Sequence, residues 1–355
     1  MQNKSVQITG PAHSTLADRI VGSGELNLAY LIVAHKNFEQ VKRLICRLDN
    51  ERSYFVLLID AKTPRADFER LRASINSVRN VRFAERIRVS WGTISTVKAA
   101  LACIRELLNW NVPFDYAFLL TGQDYPLVSR YRIERELLNA GGRSFIHFDP
   151  FPRECWRNGG FDRIDCWHFL IGNRRFQMPR MEATMRRAEK PVYAVLNRLV
   201  PRRGDLPGGL RLFGGSASWI LSCAALRYID HFILGNPTFL RRFRFTAIAD
   251  EFFFQTILAN SPLRSELIND NGWFIQWTEG AAHPAVLTVA ELPALLRCGK
   301  LFARKFDVTV DTSVLDQLDL ACPEDVPRVG SSNAPDTVCH GGSLSPYNSH
   351  GSATR

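Results

Sequence analysis

The chain has 355 residues, 46% of them hydrophobic and 23% charged, enough apolar content to bury one large core. Its 45 Lys and Arg against 35 Asp and Glu leave a formal charge of +10, which favours anionic partners such as a nucleotide, nucleic acid, an acidic glycan or an anionic membrane surface. No apolar run approaches the roughly eighteen residues that a membrane-spanning helix needs, and residues 1–27 are polar, without the apolar stretch of a signal peptide.

From residue 28, buried strands alternate with helical spacing. LAYLIVAH (28–35) and YFVLLID (54–60) read as strands, each followed by a helix, FEQVKRLICRL and ADFERLRASI. VRFAE (81–85) is a short third strand, STVKAALACIRELLNW a long helix, and YAFLLTG (116–122) a buried strand that runs into the turn QDYPLVS. SFIHFD (144–149) closes this half. Such alternation predicts an α/β fold with a mostly parallel central sheet flanked by helices. Ligands of such sheets bind beyond the carboxyl ends of the strands. Asp60, Ser90, Trp91 and Asp124 lie at or just past such ends.

Residues 150–210 break the rhythm with a basic insertion rich in Arg and aromatics, ending in the helix-compatible RMEATMRRAEKPVYAVLNRLV. It reads either as a segment packed on the sheet with its arginines in solvent, or as a surface facing an acceptor or a membrane. FGGSASWILS (213–222) is a strand entered through a Gly-rich turn, AALRYIDHFIL a helix, and DEFFFQTIL (250–258) a short helix with Phe254, Ile257 and Leu258 on one face. Residues 321–355 turn to Ser, Gly, Pro and Asn, a composition that predicts disorder. The expected organisation is a polar segment 1–27, one domain 28–320 and a tail. The eight cysteines form no C-x-x-C pair, and several, such as Cys46 and Cys103, sit in apolar runs. Reduced cysteines in a cytoplasmic protein are expected.

The chain lacks a G-x-x-x-x-G-K-[ST] phosphate loop, a G-x-G-x-x-G turn after its first strand, a G-x-S-x-G elbow and a D-x-D carboxylate pair. Its histidines and cysteines do not fall at metal-ligand spacing, so no metal site is expected. What remains is polar residues inside apolar segments. Glu251, with Phe252, Phe253 and Phe254 behind it, is either a general base or a first-turn acid that complements the helix dipole. Asp124, before Pro126, fits a turn hydrogen bond and is also a candidate substrate contact. Asp60 is placed to accept hydrogen bonds from a sugar or base, and Trp91, followed by Gly92, to offer a stacking plane or to join the core. Arg304 and Lys305 in LFARKFD are either surface charge or an anion site.

In order, LAYLIVAHKN, YFVLLIDAK, VSWG, YAFLLTGQDYPL, GGSASWILS, DEFFFQTILANSP and LFARKFD resemble the core-2/I-branching glycosyltransferase family. The resemblance runs from about residue 28 to 319, and its final third looks most like the peptide O-xylosyltransferase branch. It implies a GT-A-like fold, a UDP-sugar donor (xylose or N-acetylglucosamine), an acceptor hydroxyl on a glycan or peptide, inversion at the anomeric carbon, and no metal or other cofactor. Residue by residue, it implies that Val33 and Asp60 hold the uridine end, and that Ser90 and Trp91 pack on the nucleotide sugar. Glu251 falls on the catalytic base, Arg304 and Lys305 on the pair that holds the diphosphate, and Ser216 and Trp219 in a segment of substrate contacts. The chain departs from the pattern at Ser218, where xylosyltransferases carry an acid, and at Ala285, where relatives often carry a basic residue. It also lacks the membrane anchor, cysteine framework and carboxy-terminal domain of Golgi relatives, so a bacterial-type enzyme, soluble or peripheral on an anionic membrane, is expected. The alternatives are a nucleotide-sugar-binding protein without transfer activity, and a nucleic-acid-binding protein using residues 150–210. The arginines there follow no recognised nucleic-acid module, so no nucleic acid is expected as partner.

Overall fold

The computed structural model describes residues 25–172, 174–179, 195, 198–278, 281 and 283–323. The expected tail from residue 324 on, the polar amino-terminal segment up to residue 24 and most of residues 180–197 lie outside the described residues. The strands, in chain order, are β1 (Leu28–Ala34), β2 (Ser53–Ile59), β3 (Val81–Phe83), β4 (Tyr116–Thr121), β5 (Asp124–Pro126), β6 (Ser144–Ile146) and β7 (Asp149–Pro150). They continue with β8 (Trp167–Ile171), β9 (Arg174–Met178), β10 (Phe213–Gly214), β11 (Trp219–Ser222), β12 (Leu267–Ile268), β13 (Trp273–Ile275) and β14 (Phe302–Arg304). Among them is a seven-stranded sheet of order β12-β6-β11-β4-β1-β2-β3. Only β11 runs antiparallel to its neighbours there. The mostly parallel α/β sheet is therefore as the alternation predicts.

Side-chain alternation gives this sheet two buried faces. Leu28, Tyr30 and Ile32 of β1 join one core, under the helices Phe38–Leu48, Arg65–Ser74 and Arg130–Ala140. Ala29 and Leu31 join the other, under Ser95–Trp110, Cys223–Gly235 and Phe253–Ala259. Large side chains such as Tyr30, Phe118 and Trp219 are wholly buried, each contributing about 1.5–3 kcal/mol by leaving water. These two cores hold the strand ends rigid, which is what a site built on them requires. No helix among the described residues is long and apolar enough to cross a membrane.

The structure departs from the sequence reading where pairing is non-local. QDYPLVS is not simply a turn: it contains β5, which pairs antiparallel with β14 and sets Asp124 opposite Arg304. FGGSASWILS is two strands, since β10 pairs with β7 while β11 enters the main sheet. Between them Gly215 passes the His147 carbonyl so closely that an added Cβ would lie 1.7 Å from its oxygen. DEFFFQTIL divides as well. Ala249–Glu251 is a 3₁₀ turn, and the helix proper, Phe253–Ala259, is buried on every side rather than on one face. Cys46 is exposed although it sits in an apolar run, and Cys46, Cys103, Cys155, Cys166, Cys223 and Cys298 are free thiols.

Candidate active site

The carboxyl ends of β1 and β4 open into a cleft of about 740 Å³. β1 lies between β2 and β4, so the chain's connections diverge there, and this switch point is where such sheets leave a crevice. The cleft size suits a small-molecule ligand. Three groups of residues line it.

The first group surrounds Glu251. The left-handed backbone of Ile248 (φ 51°), uncommon for a β-branched residue, starts the turn that carries it. The Ile248 N–H donates to the Gly92 carbonyl at 3.0 Å, and the Gly215 N–H donates to the Glu251 carbonyl at 2.8 Å, which fixes the main chain on both sides. Oε2 of Glu251 accepts from Nη1 of Arg163 at 2.6 Å. Burial raises the Glu251 carboxyl to about 7; Arg163 pulls it down and the neighbouring Asp250 pushes it up. Glu251 closes the 3₁₀ turn and stands just before the N-cap residue of the helix, Phe252. Asp250, buried beside it, is likewise raised by burial.

The second group is cationic. Arg304 and Lys305 both line the cleft, and Nε of Arg304 lies 3.5 Å from Oδ1 of Asp124. Lys36, at the end of β1, lines it as well and donates to Oδ2 of Asp307 at 2.5 Å. Burial lowers the Lys305 ammonium, and the charges of Lys36 and Arg304 lower it further. Three cations thus converge, and their mutual repulsion is relieved by an anion placed among them.

The third group is at the end of β2. Oδ1 of Asp60 accepts the N–H of Lys62 at 2.8 Å, and Lys62 Nζ lies 3.4 Å from Oδ2. Val33 lies alongside in the cleft. Trp91 is 44% exposed at the mouth, its ring 4.5 Å from that of His283 and 4.4 Å from the Arg175 guanidinium. Ser216 lines the opposite run, its Oγ accepting from Nδ2 of Asn271 at 2.8 Å.

Of the residues expected from the sequence, Val33, Asp60, Trp91, Ser216, Glu251, Arg304 and Lys305 are brought together in this cleft. Three are not among its lining. Ser90 is spent on the turn before helix Ser95–Trp110, its N–H donating to Ser95 Oγ at 2.7 Å. Asp124 is wholly buried behind the wall, accepting from the Thr121 N–H and facing Arg304. Trp219 is a core residue, edge-to-face with Phe254 at 5.6 Å. The basic insertion is not merely a solvated face, since Arg163 of Phe161–Ile164 lines the cleft and Arg175 of the β8–β9 hairpin packs on the Trp91 ring. Neither arginine carries a local motif. Lys36 was findable, because it stands just past the carboxyl end of a buried strand.

A family model, the core-2/I-branching enzyme, matches residues 28–294. The chain is 26% identical over 310 residues to mouse beta-1,3-galactosyl-O-glycosyl-glycoprotein beta-1,6-N-acetylglucosaminyltransferase 4, covering 80% of this chain and 63% of that protein. A human beta-1,3-galactosyl-O-glycosyl-glycoprotein beta-1,6-N-acetylglucosaminyltransferase is 22% identical, with 83% of this chain and 69% of that one covered. Mouse xylosyltransferase 2 is 23% identical, with 85% of this chain and 34% of that one covered. The chain thus spans just under two thirds of the first relative and about a third of the xylosyltransferase. Arg304 and Lys305 lie beyond the stretch that the family model matches.

Proposed function

The chain belongs to the core-2/I-branching enzyme family, and on that premise we propose that it is an inverting glycosyltransferase working without a metal ion. It moves xylose or N-acetylglucosamine from a UDP-sugar to a hydroxyl of a glycan or peptide. The observation that carries this reading is one cleft that joins a carboxylate with a raised proton affinity to a pair of cations.

Each residue then has a task. Val33 and Asp60 take the uridine end, and Trp91 packs on the nucleotide sugar. Asp124 serves indirectly, fixing Arg304 by ion pairing. The acceptor hydroxyl attacks C1 of the donor sugar from the face opposite the diphosphate and gives its proton to Glu251. The new C1–O bond forms as the bond to the diphosphate oxygen breaks, and the negative charge that grows on UDP falls between Arg304 and Lys305. Fixed cations in a site partly closed to water stabilise that charge without reorganising at the moment of reaction. The Arg fork grips phosphate oxygens while Lys acts as a point charge. A carboxyl near 7 suits a base at neutral pH. A cytoplasmic setting belongs to the same proposal, and the +10 charge favours peripheral contact with an anionic membrane.

The test is thermal denaturation against a panel of UDP-sugars with EDTA present, followed by a transfer assay with the sugar that binds. UDP-xylose or UDP-N-acetylglucosamine is expected to raise the midpoint, by the equivalent of about 2.7 kcal/mol at a hundred times Kd. No shift with any UDP-sugar would overturn the reading. A shift abolished by EDTA would overturn metal independence, and binding without transfer to any hydroxyl acceptor would leave a nucleotide-sugar-binding protein.

A further inference from the structure

The basic insertion puts one arginine on the residue read as the base. Arg163 stands in the short helix Phe161–Ile164, its guanidinium 4.3 Å from the Trp156 ring centroid and its Nη1 2.6 Å from Oε2 of Glu251. Trp156 is itself wedged edge-to-face against Phe252 at 4.8 Å, and Phe252 directly follows Glu251. The guanidinium is thus held between an aromatic shelf and one carboxylate oxygen. Oε1 of Glu251 is given no such partner among the described residues.

We infer that Arg163 is a positioning residue for Glu251, clamping Oε2 so that Oε1 faces the cleft as the atom that takes the acceptor proton. The inference rests on the reading of Glu251 as general base. It assigns the insertion a task in the reaction that no local sequence feature announces. The electrostatics point the same way. Burial and Asp250, from the same turn, favour the neutral carboxyl, while Arg163 from its helix and Arg153 from the loop after β7 favour the ionised one. Arg163 is the larger of the two cationic influences. An opposite charge at this range holds a carboxyl about 1–3 pH units lower than it would otherwise lie. Without Arg163, Glu251 would therefore be protonated at neutral pH and useless as a base.

The deciding experiment reads Glu251 directly and needs no substrate. The ¹³C resonance of its side-chain carboxyl, assigned by its loss in Glu251→Gln, is followed through a pH titration in the wild type, Arg163→Gln and Arg163→Lys. Arg163→Gln is expected to move the midpoint up by at least about one pH unit, a tenfold gain in proton affinity, and Arg163→Lys to restore most of it. An unchanged midpoint in a folded Arg163→Gln protein would overturn the inference and leave Arg163 a packing residue. Should Arg163→Gln not fold, the wild type decides: the Arg163 side-chain N–H resonance should shift through the Glu251 titration, and no shift overturns the inference. Activity forms the second arm. In a donor-turnover assay with UDP-xylose or UDP-N-acetylglucosamine, the acid limb of the Arg163→Gln profile should move up with the NMR midpoint. A limb that stays put while the midpoint moves would also overturn the positioning role. A wild type that turns over neither donor would count against the proposed function, and the titration would still decide whether Arg163 controls Glu251.

Discussion

Asp307 and Glu251 are two largely buried carboxylates, the first bonded to Lys36 and Gln123 of the cleft and the second in its lining, and they have been put to opposite uses. Asp307 accepts from Lys36, Asn37, Gln123 and both the N–H and the hydroxyl of Thr309. Burial alone would raise its carboxyl, but those donors outweigh burial and hold it far below the usual carboxylate range. Glu251 is given a single charged donor, and burial prevails. A carboxylate saturated with donors is permanently ionised and fastens structure, here Lys36 and the segment after β14. One left short of donors stays close to protonation at neutral pH and can exchange a proton. Counting donors around a buried acid therefore separates a fastener from a base better than the residue type does.

The strongest way to break this comparison is Glu251→Gln. It should cost about 10²–10⁴ in kcat, the span for a general base, while UDP affinity measured by calorimetry stays within about twofold. An active Gln variant would remove Glu251 from the chemistry. Lys305→Ala should come next, with kcat down about 10²–10³, the scale for one lost electrostatic donor. Unchanged turnover would send Lys305 back to surface charge. Asp307→Asn should act on stability instead. Leaving Lys36 and the other donors poorly matched should cost about 2–3 kcal/mol in denaturant unfolding.

The pH dependence of stability sharpens the contrast because the two signs are opposite. The folded state binds the Glu251 proton more tightly than the unfolded chain does, so this group's contribution falls as pH rises from the usual carboxylate range to about 7. Glu251→Gln should therefore be favoured over wild type by about 1–3 kcal/mol more at pH about 8 than at pH about 4. Asp307 runs the other way: its contribution is present above the usual carboxylate range and lost as pH falls below it. The smallest effect is expected at the mouth, where Trp91→Ala should raise the donor KM about three- to tenfold with kcat little changed, since a partly exposed stacking face is worth about 1 kcal/mol.

Much of this site could be read along the chain because its parts sit on the main sheet. Val33 and Asp60 stand at the carboxyl ends of buried strands, and a strand whose side chains are nearly all apolar announces both its own place and the place of the polar residue that ends it. LFARKFD was legible in another sense: two cations in an apolar frame call for an anion. Composition alone left that as an even choice with surface charge, and only the cleft brings Arg304 and Lys305 to one side. Ser90 and Trp219 lie outside the cleft lining because proximity in sequence to a site residue does not fix where a residue sits in the fold. Ser90 feeds a helix-starting turn, and Trp219 faces the core from a strand of four buried residues.

By itself the sequence determined the alternating fold, the buried strands and the strand ends that a ligand would meet, because these follow from local periodicity and composition. Tertiary structure alone decided the pairings between distant segments. β5 meets β14 so that Asp124 becomes the partner of Arg304, 180 residues further along the chain. Arg163 crosses 88 residues to reach Glu251, which turns a basic insertion into part of the site. Such contacts leave no trace in local pattern because their free energy comes from groups that share nothing in sequence. Burial then decides what each charge is for, since a carboxylate's proton affinity depends on how many donors the folded chain brings within reach.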